Sequence, residues 1–182
     1  MSRAKKKPNK LHNLQDFSKL NLFSDTAKLF INDNCANIDV LFELIKKNKT
    51  DEIINLINNS YKIINSCNKI LQTPLDYAIK LNNQEMVNLI VSYDGCVSIS
   101  FYNADTETKF QKIVNMLIAA NYNLNKLDKL GYAAIHYASS NGFVDAIKSL
   151  LDNEANVNLC DIQGNTAINI AAGKKTLIYG NA

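Results

Sequence analysis

Asp128-Lys129-Leu130-Gly131-Tyr132-Ala133-Ala134-Ile135-His136-Tyr137-Ala138 and Asp161-Ile162-Gln163-Gly164-Asn165-Thr166-Ala167-Ile168-Asn169-Ile170-Ala171 align without a gap at an offset of 33 residues. The stretches before them keep the same offset: Leu117–Asn125, LIAANYNLN, lies over Leu150–Asn158, LLDNEANVN. An earlier copy reads Thr73-Pro74-Leu75-Asp76-Tyr77-Ala78, preceded by Leu56, Ile57 and Asn65. Self-similarity at a fixed period of this size marks stacked repeats, and it outranks any single motif as a guide to the fold.

The repeat makes physical sense residue by residue. Thr73 can cap a helix, Pro74 suits its first turn, and Asp76 puts an acid near the positive helix end. Leu75, Ala78 and Ile79 then share one face. Asn141-Gly142 supplies a left-handed turn that ends one helix before the next. Phe143, Ala146, Ile147 and Leu150 form the apolar stripe of that second helix. One such pair is too small to bury its own face, so neighbouring pairs must stack.

These segments resemble the ankyrin repeat. That family repeats at 33 residues, with a D-x-x-G-x-T-P-L-H-x-A opening, a G-h-x-x-v-v-x-x-L-L helix and a G-A-d-v-N close. Asn141–Leu151 fits the middle section, and the match runs over 38–172, best over 125–172. The resemblance implies an all-α solenoid of stacked helix-turn-helix units joined by short β-turn fingers.

Five units are expected, near 38–65, 66–98, 99–125, 126–158 and 159–172. The first has helices near 39–47 and 51–58; the second has a second helix over 84–92. In the third, Ser100-Phe101-Tyr102-Asn103 replaces the opening, and the second helix falls over 110–120. Thr73 to Ser100 is only 27 residues, so six residues of a finger are missing, which predicts a weak joint and a bipartite scaffold. The fifth unit is cut short, leaving 173–182 as a tail. At the other end, 13–37 is expected to form capping helices, with Leu14, Phe17, Leu20, Leu22, Leu29 and Phe30 as their apolar residues.

Charge adds little to this. Residues 1–12 read as a flexible basic tail: Arg3, Lys5, Lys6, Lys7 and Lys10 stand there without an acid, leaving 15 basic against 17 acidic side chains elsewhere. A near-neutral body lacks the field of a nucleic-acid binder, so such contact is confined to a weak one by the tail. The chain shows neither a secretory leader nor a membrane-spanning run. The 27 asparagines, with abundant lysine and isoleucine, suggest AT-rich coding, as in an intracellular bacterium, a protist or a large virus. A cytosolic setting, a host's included, follows.

Candidate chemistry fails on inspection. His136 with Ser139 invites a base–nucleophile reading, but His136 holds the position of the repeat's structural histidine. Gly173-Lys174-Lys175-Thr176 lacks the earlier glycine of a phosphate loop, Ile168 standing there, and Lys175 occupies the Ser/Thr position. Cys35, Cys67, Cys96 and Cys160 form no CxxC pair, and Cys67 and Cys160 recur at one repeat position, so no zinc site is assigned. No catalytic, cofactor-binding or metal-binding residue is expected, and the chain is read as a non-enzyme.

In ankyrin proteins the fingers and first helices grip another protein. Carried over by position, the contact residues are Lys69, Ile70 and Gln72 in the second unit; Leu127, Lys129, Leu130, Tyr132 and Ser140 in the fourth; and Cys160, Ile162, Gln163 and Asn165 in the fifth. The resemblance implies a protein-binding scaffold. Two other readings stay open: a fragment or remnant of a longer ankyrin protein, and the targeting arm of an enzyme whose catalytic part lies elsewhere.

Overall fold

The computed structural model describes residues 35–128 and 131–179, with side chains from 37 to 173 apart from 129 and 130. The basic segment and almost all of the expected capping helices lie outside the described residues, as do Lys129 and Leu130.

Eight α-helices, one 3-10 helix (Tyr61–Asn65) and no strand occur among the described residues: α1 Cys35–Lys46, α2 Thr50–Asn59, α3 Pro74–Lys80, α4 Gln84–Ser92, α5 Glu107–Ala119, α6 Ala134–Asn141, α7 Val144–Asp152 and α8 Ala167–Tyr179. Helices α3 with α4 and α6 with α7 pair as inner and outer helices, and α1 and α2 are joined by a tight turn in which Lys49 N donates to Leu44 O at 3.0 Å. The described residues from 36 onward form one compact unit. Successive outer helices α4, α5 and α7 pack on one another, while α6 packs directly on α8.

Each helix buries the stripe its spacing dictates: Ile38, Leu41 and Ile45 on α1, Ile53 and Ile57 on α2, Met86, Val87 and Ile90 on α4, Phe110, Val114 and Leu117 on α5. The caps differ in an instructive way. Thr73 and Asp76 form a reciprocal capping box on α3, and Asn83 accepts from Met86 N at 3.1 Å on α4. The residue capping α7 is Phe143, which packs on Phe110 with ring centroids 5.5 Å apart and cannot accept a hydrogen bond. Glu107 of α5 substitutes, its Oε1 accepting from Asp145 N at 2.7 Å and Ala146 N at 3.2 Å. An acid from the neighbouring helix thus caps an N-terminus whose own cap position belongs to the core.

The repeat is also written in left-handed backbone. Inner helices end at Asn48, Asn82 and Gly142, outer ones at Asp94, Asn121 and Glu154, and fingers turn at Leu71, Gly131 and Gly164, all with positive φ. The fifth unit has Lys175 where the fourth has Gly142, and α8 runs on through Gly173 to Tyr179, past the boundary expected at 172. With no residue there that favours the left-handed region, nothing stops the helix.

The third unit lacks an inner helix. A single turn stands in its place, closed by Asn103 N donating to Ile99 O at 2.9 Å. Phe101, only 6% exposed, fills the volume, with ring centroids 5.2 Å from Phe110 and 6.1 Å from Tyr137. Far from being weak, this joint is densely bonded, and the expected division into two parts gives way to the single compact unit.

Candidate functional site: the finger side

Three fingers share one build. Asn68, Asp128 and Asp161 each open a turn in which their own N–H meets the carbonyl four residues on, at 2.9 Å in Gln72, Tyr132 and Asn165. Their side chains accept as well: Asn68 Oδ1 from Ile70 N and Gln72 N at 3.0 Å, Asp128 Oδ1 from Tyr132 N at 3.0 Å, and Asp161 Oδ1 from Gln163 N and Asn165 N at 2.8 Å. A short side chain that satisfies the turn's own amides makes the finger rigid without a core of its own.

The tips are apolar. Ile70 is 62% exposed, Leu71 39%, Leu127 42% and Ile162 70%. Leu71 was not among the expected contacts. It holds φ of 63°, where the other two fingers use Gly131 and Gly164, so the second unit keeps a side chain at a position that favours glycine. The finger opening Asn68-Lys69-Ile70-Leu71, without the D-x-x-G spelling, hid this from the pattern.

The expected contact residues separate by burial. Lys69, Ile70, Leu127, Cys160, Ile162 and Gln163 are exposed; Tyr132 and Asn165 are half-buried. Lys129 and Leu130 lie outside the described residues. Gln72 and Ser140 are corrections, at 8% and 7% exposed. Gln72 is drawn in as the residue that closes the turn on Asn68 and leads into buried Thr73. Ser140 lies on α6, whose residues 134–140 are all buried because α7 and α8 both pack on it.

Tyr132 links two fingers. Its hydroxyl is 3.4 Å from Gln163 Oε1, and its ring lies 5.6 Å from Tyr137. Burial, and then the charge of Asp161, push its phenol above the usual range. Tyr137 donates to Asp128 Oδ2 at 2.5 Å, fixing the base of the finger to α6. Asparagines tie loops of successive units: Asn65 Nδ2 donates to Asp94 O at 3.1 Å and its Oδ1 accepts from Cys96 N at 2.7 Å, while Asn125 makes the matching pair with Glu154 O at 3.2 Å and Asn156 N at 2.7 Å.

His136 is structural. Ala133 N donates to its Nδ1 at 2.9 Å, which leaves the proton on Nε2 to donate to Leu159 O at 2.8 Å. Both nitrogens are spent on backbone, and the ring is 1% exposed. Among the described residues no three of His, Cys, Asp and Glu gather as a metal site requires, and no helix is long and apolar enough to cross a membrane.

The model of three ankyrin repeat copies matches residues 102–178. Over that stretch the chain is similar to the ankyrin-repeat family. Among curated proteins it is similar to the ankyrin repeat protein FPV230 of fowlpox virus (strain NVSL), 27% identical over 100 residues. That alignment covers 52% of this chain and 53% of the viral protein, so the chain spans about half the length of the relative it matches. Ankyrin repeats generally mediate protein–protein interaction and are typically without enzymatic activity. The matched stretch takes in most of the third unit, the fingers that open at Asp128 and Asp161, and most of α8.

Proposed function

We propose that this ankyrin stack is a non-catalytic scaffold that binds another protein through its finger side, with Ile70, Leu71, Leu127 and Ile162 as the apolar contacts and Lys69, Tyr132, Cys160, Gln163 and Asn165 around them. Lys129 and Leu130 belong to the same finger by position. The observation that carries this reading is that three rigid fingers of one build each end in or adjoin a large exposed aliphatic side chain. Exposed apolar clusters held on hydrogen-bonded turns are what interfaces recruit. The setting is a cytosol, a host's if the source is a virus or intracellular bacterium; the fowlpox relative supports the viral alternative.

Affinity capture from cytosol tests it. One variant carries Ile70→Glu, Leu127→Glu and Ile162→Glu. A control carries Val144→Glu and Leu151→Glu on outer helix α7, where exposure is similar at 57% and 42%. The finger variant is expected to lose the captured protein and the α7 variant to keep it. Loss from both or from neither refutes the finger side as the contact.

A further inference from the structure

The omitted finger and the acid at 76 occupy the same joint. In the fourth unit His136 uses Nδ1 to accept from Ala133 N and Nε2 to donate to Leu159 O, the carbonyl of the first residue of the next finger segment. In the second unit the equivalent residue is Asp76, 2% exposed. Its Oδ2 accepts from Thr73 N at 2.9 Å, reproducing the Nδ1 contact. The other contact is inverted. Instead of donating to a carbonyl, the carboxylate accepts from three consecutive amides of the next unit: Ser98 N at 3.2 Å, Ile99 N at 3.2 Å and Ser100 N at 3.0 Å, with Ser100 Oγ at 2.7 Å.

Those amides point at Asp76 because the finger is missing. Residue 98 aligns with Asn125 and residue 99 with Tyr132, so the six residues absent between Ser98 and Ile99 correspond to 126–131. Without them no carbonyl stands where Leu159 O stands, and a tight turn brings N–H groups there. A histidine would set its Nε2–H against donors, whereas a carboxylate has only acceptors to offer. The inter-unit tie changes too. Ser98, in the asparagine position, is too short to reach the adjacent loop, and Lys126 reaches back in its place, with Nζ 2.6 Å from Asp94 Oδ1 and 3.1 Å from Asp94 O.

We infer that Asp76 and the fingerless third unit are one device, in which the acid at this position selects a short crossing and histidine selects a full finger. The device fixes a gap in the finger row between the second and fourth units, so the two sets of apolar tips are held in constant register by a rigid joint and not by an intervening finger. The inference does not depend on which partner binds.

The test exchanges both halves in the full chain and follows thermal unfolding, with amide exchange as a second readout. Asp76→His alone is expected to lower Tm by at least about 6 °C, as loss of two charge-assisted hydrogen bonds of about 1.5 kcal/mol each would in a chain this size. Copying residues 126–131 between Ser98 and Ile99 in the Asp76→His background should recover at least half of that drop, because the copied Lys126 supplies the missing carbonyl. The same insertion beside native Asp76 should lower Tm. Asp76→Asn keeps one acceptor oxygen and should fold, with amides 98–100 exchanging at least tenfold faster than in the native chain. If Asp76→His does not fold, recovery of a cooperative transition on insertion supports the device and failure to recover overturns it. It is equally overturned if Asp76→His leaves Tm within about 2 °C, if the insertion acts alike in both backgrounds, or if Asp76→Asn leaves amides 98–100 as protected as before.

Discussion

Replacing Gly131 by alanine isolates the contact between the last two fingers. Gly131 has φ of 76°, and a Cβ there would overlap Ile162 Cγ2 and lie 3.2 Å from Ile162 N. Gly164, the matching residue one unit on, has φ of 80° with nothing within 4 Å of the added atom. Gly164→Ala therefore bears only the left-handed penalty, about 1–2 kcal/mol. Gly131→Ala adds overpacking of about 1–3 kcal/mol, for a total of about 2–5 kcal/mol. Ile162 is 70% exposed, so Ile162→Ala by itself should cost less than about 0.5 kcal/mol. In the double variant Cγ2 is gone while the close contacts with Ile162 Cβ (3.1 Å) and N (3.2 Å) remain, so the pair should recover only part of the overpacking loss, about 1 kcal/mol. Urea unfolding of the four chains gives the cycle directly. Equal losses for Gly131→Ala and Gly164→Ala, or additivity of Gly131→Ala with Ile162→Ala, refute the idea that Ile162 rests on the fourth finger.

Two further perturbations probe the body of the stack. Glu107→Ala removes the trans cap of α7 and should cost about 0.5–2 kcal/mol in urea unfolding, with Glu107→Gln, which keeps an acceptor, losing less; equal stability of Glu107→Ala and the native chain refutes the cap. Tyr122 and Tyr137 are buried, and desolvation first of all pushes both phenols well above their usual range. Above about pH 10 the unfolded chain releases protons that the folded chain keeps, so stability present below that pH falls as pH rises, by up to about 1.4 kcal/mol per unit for each group. Tyr137→Phe should make the alkaline loss shallower, and an unchanged pH profile refutes the assignment.

The helices were legible because each carries its own punctuation. The second helix of the second unit is read at 84–92 and found at Gln84–Ser92; Gly142 ends α6 in the left-handed turn its Asn-Gly pair announces. The burial of Ser140 was not legible, since a serine between Ser139 and Asn141 reads as surface until α8 is seen to cover it. Nor was the role of Asp76. In one strand of sequence it is an acid at a helix N-terminus, and only the chain returning at 98–100 shows that the carboxylate serves another unit. The six-residue deficit was countable but its consequence was misjudged, because shorter spacing says how much chain is missing and not what bonds replace it.

The rigidity of the fingers bears on how much surface a partner needs. Fixing a mobile loop on binding costs about 0.5–1.5 kcal/mol for each rotamer-rich side chain ordered, besides its backbone. Here the turn amides at 70, 72, 132, 163 and 165 are already held by Asn68, Asp128 and Asp161, and Tyr132 and Gln163 brace one finger against the next. The exposed isoleucines and leucines also have few rotatable bonds compared with lysine or glutamine. Most of the ordering has thus been done at folding, and a few aliphatic tips on such supports can bind with an area that would be too small on flexible loops.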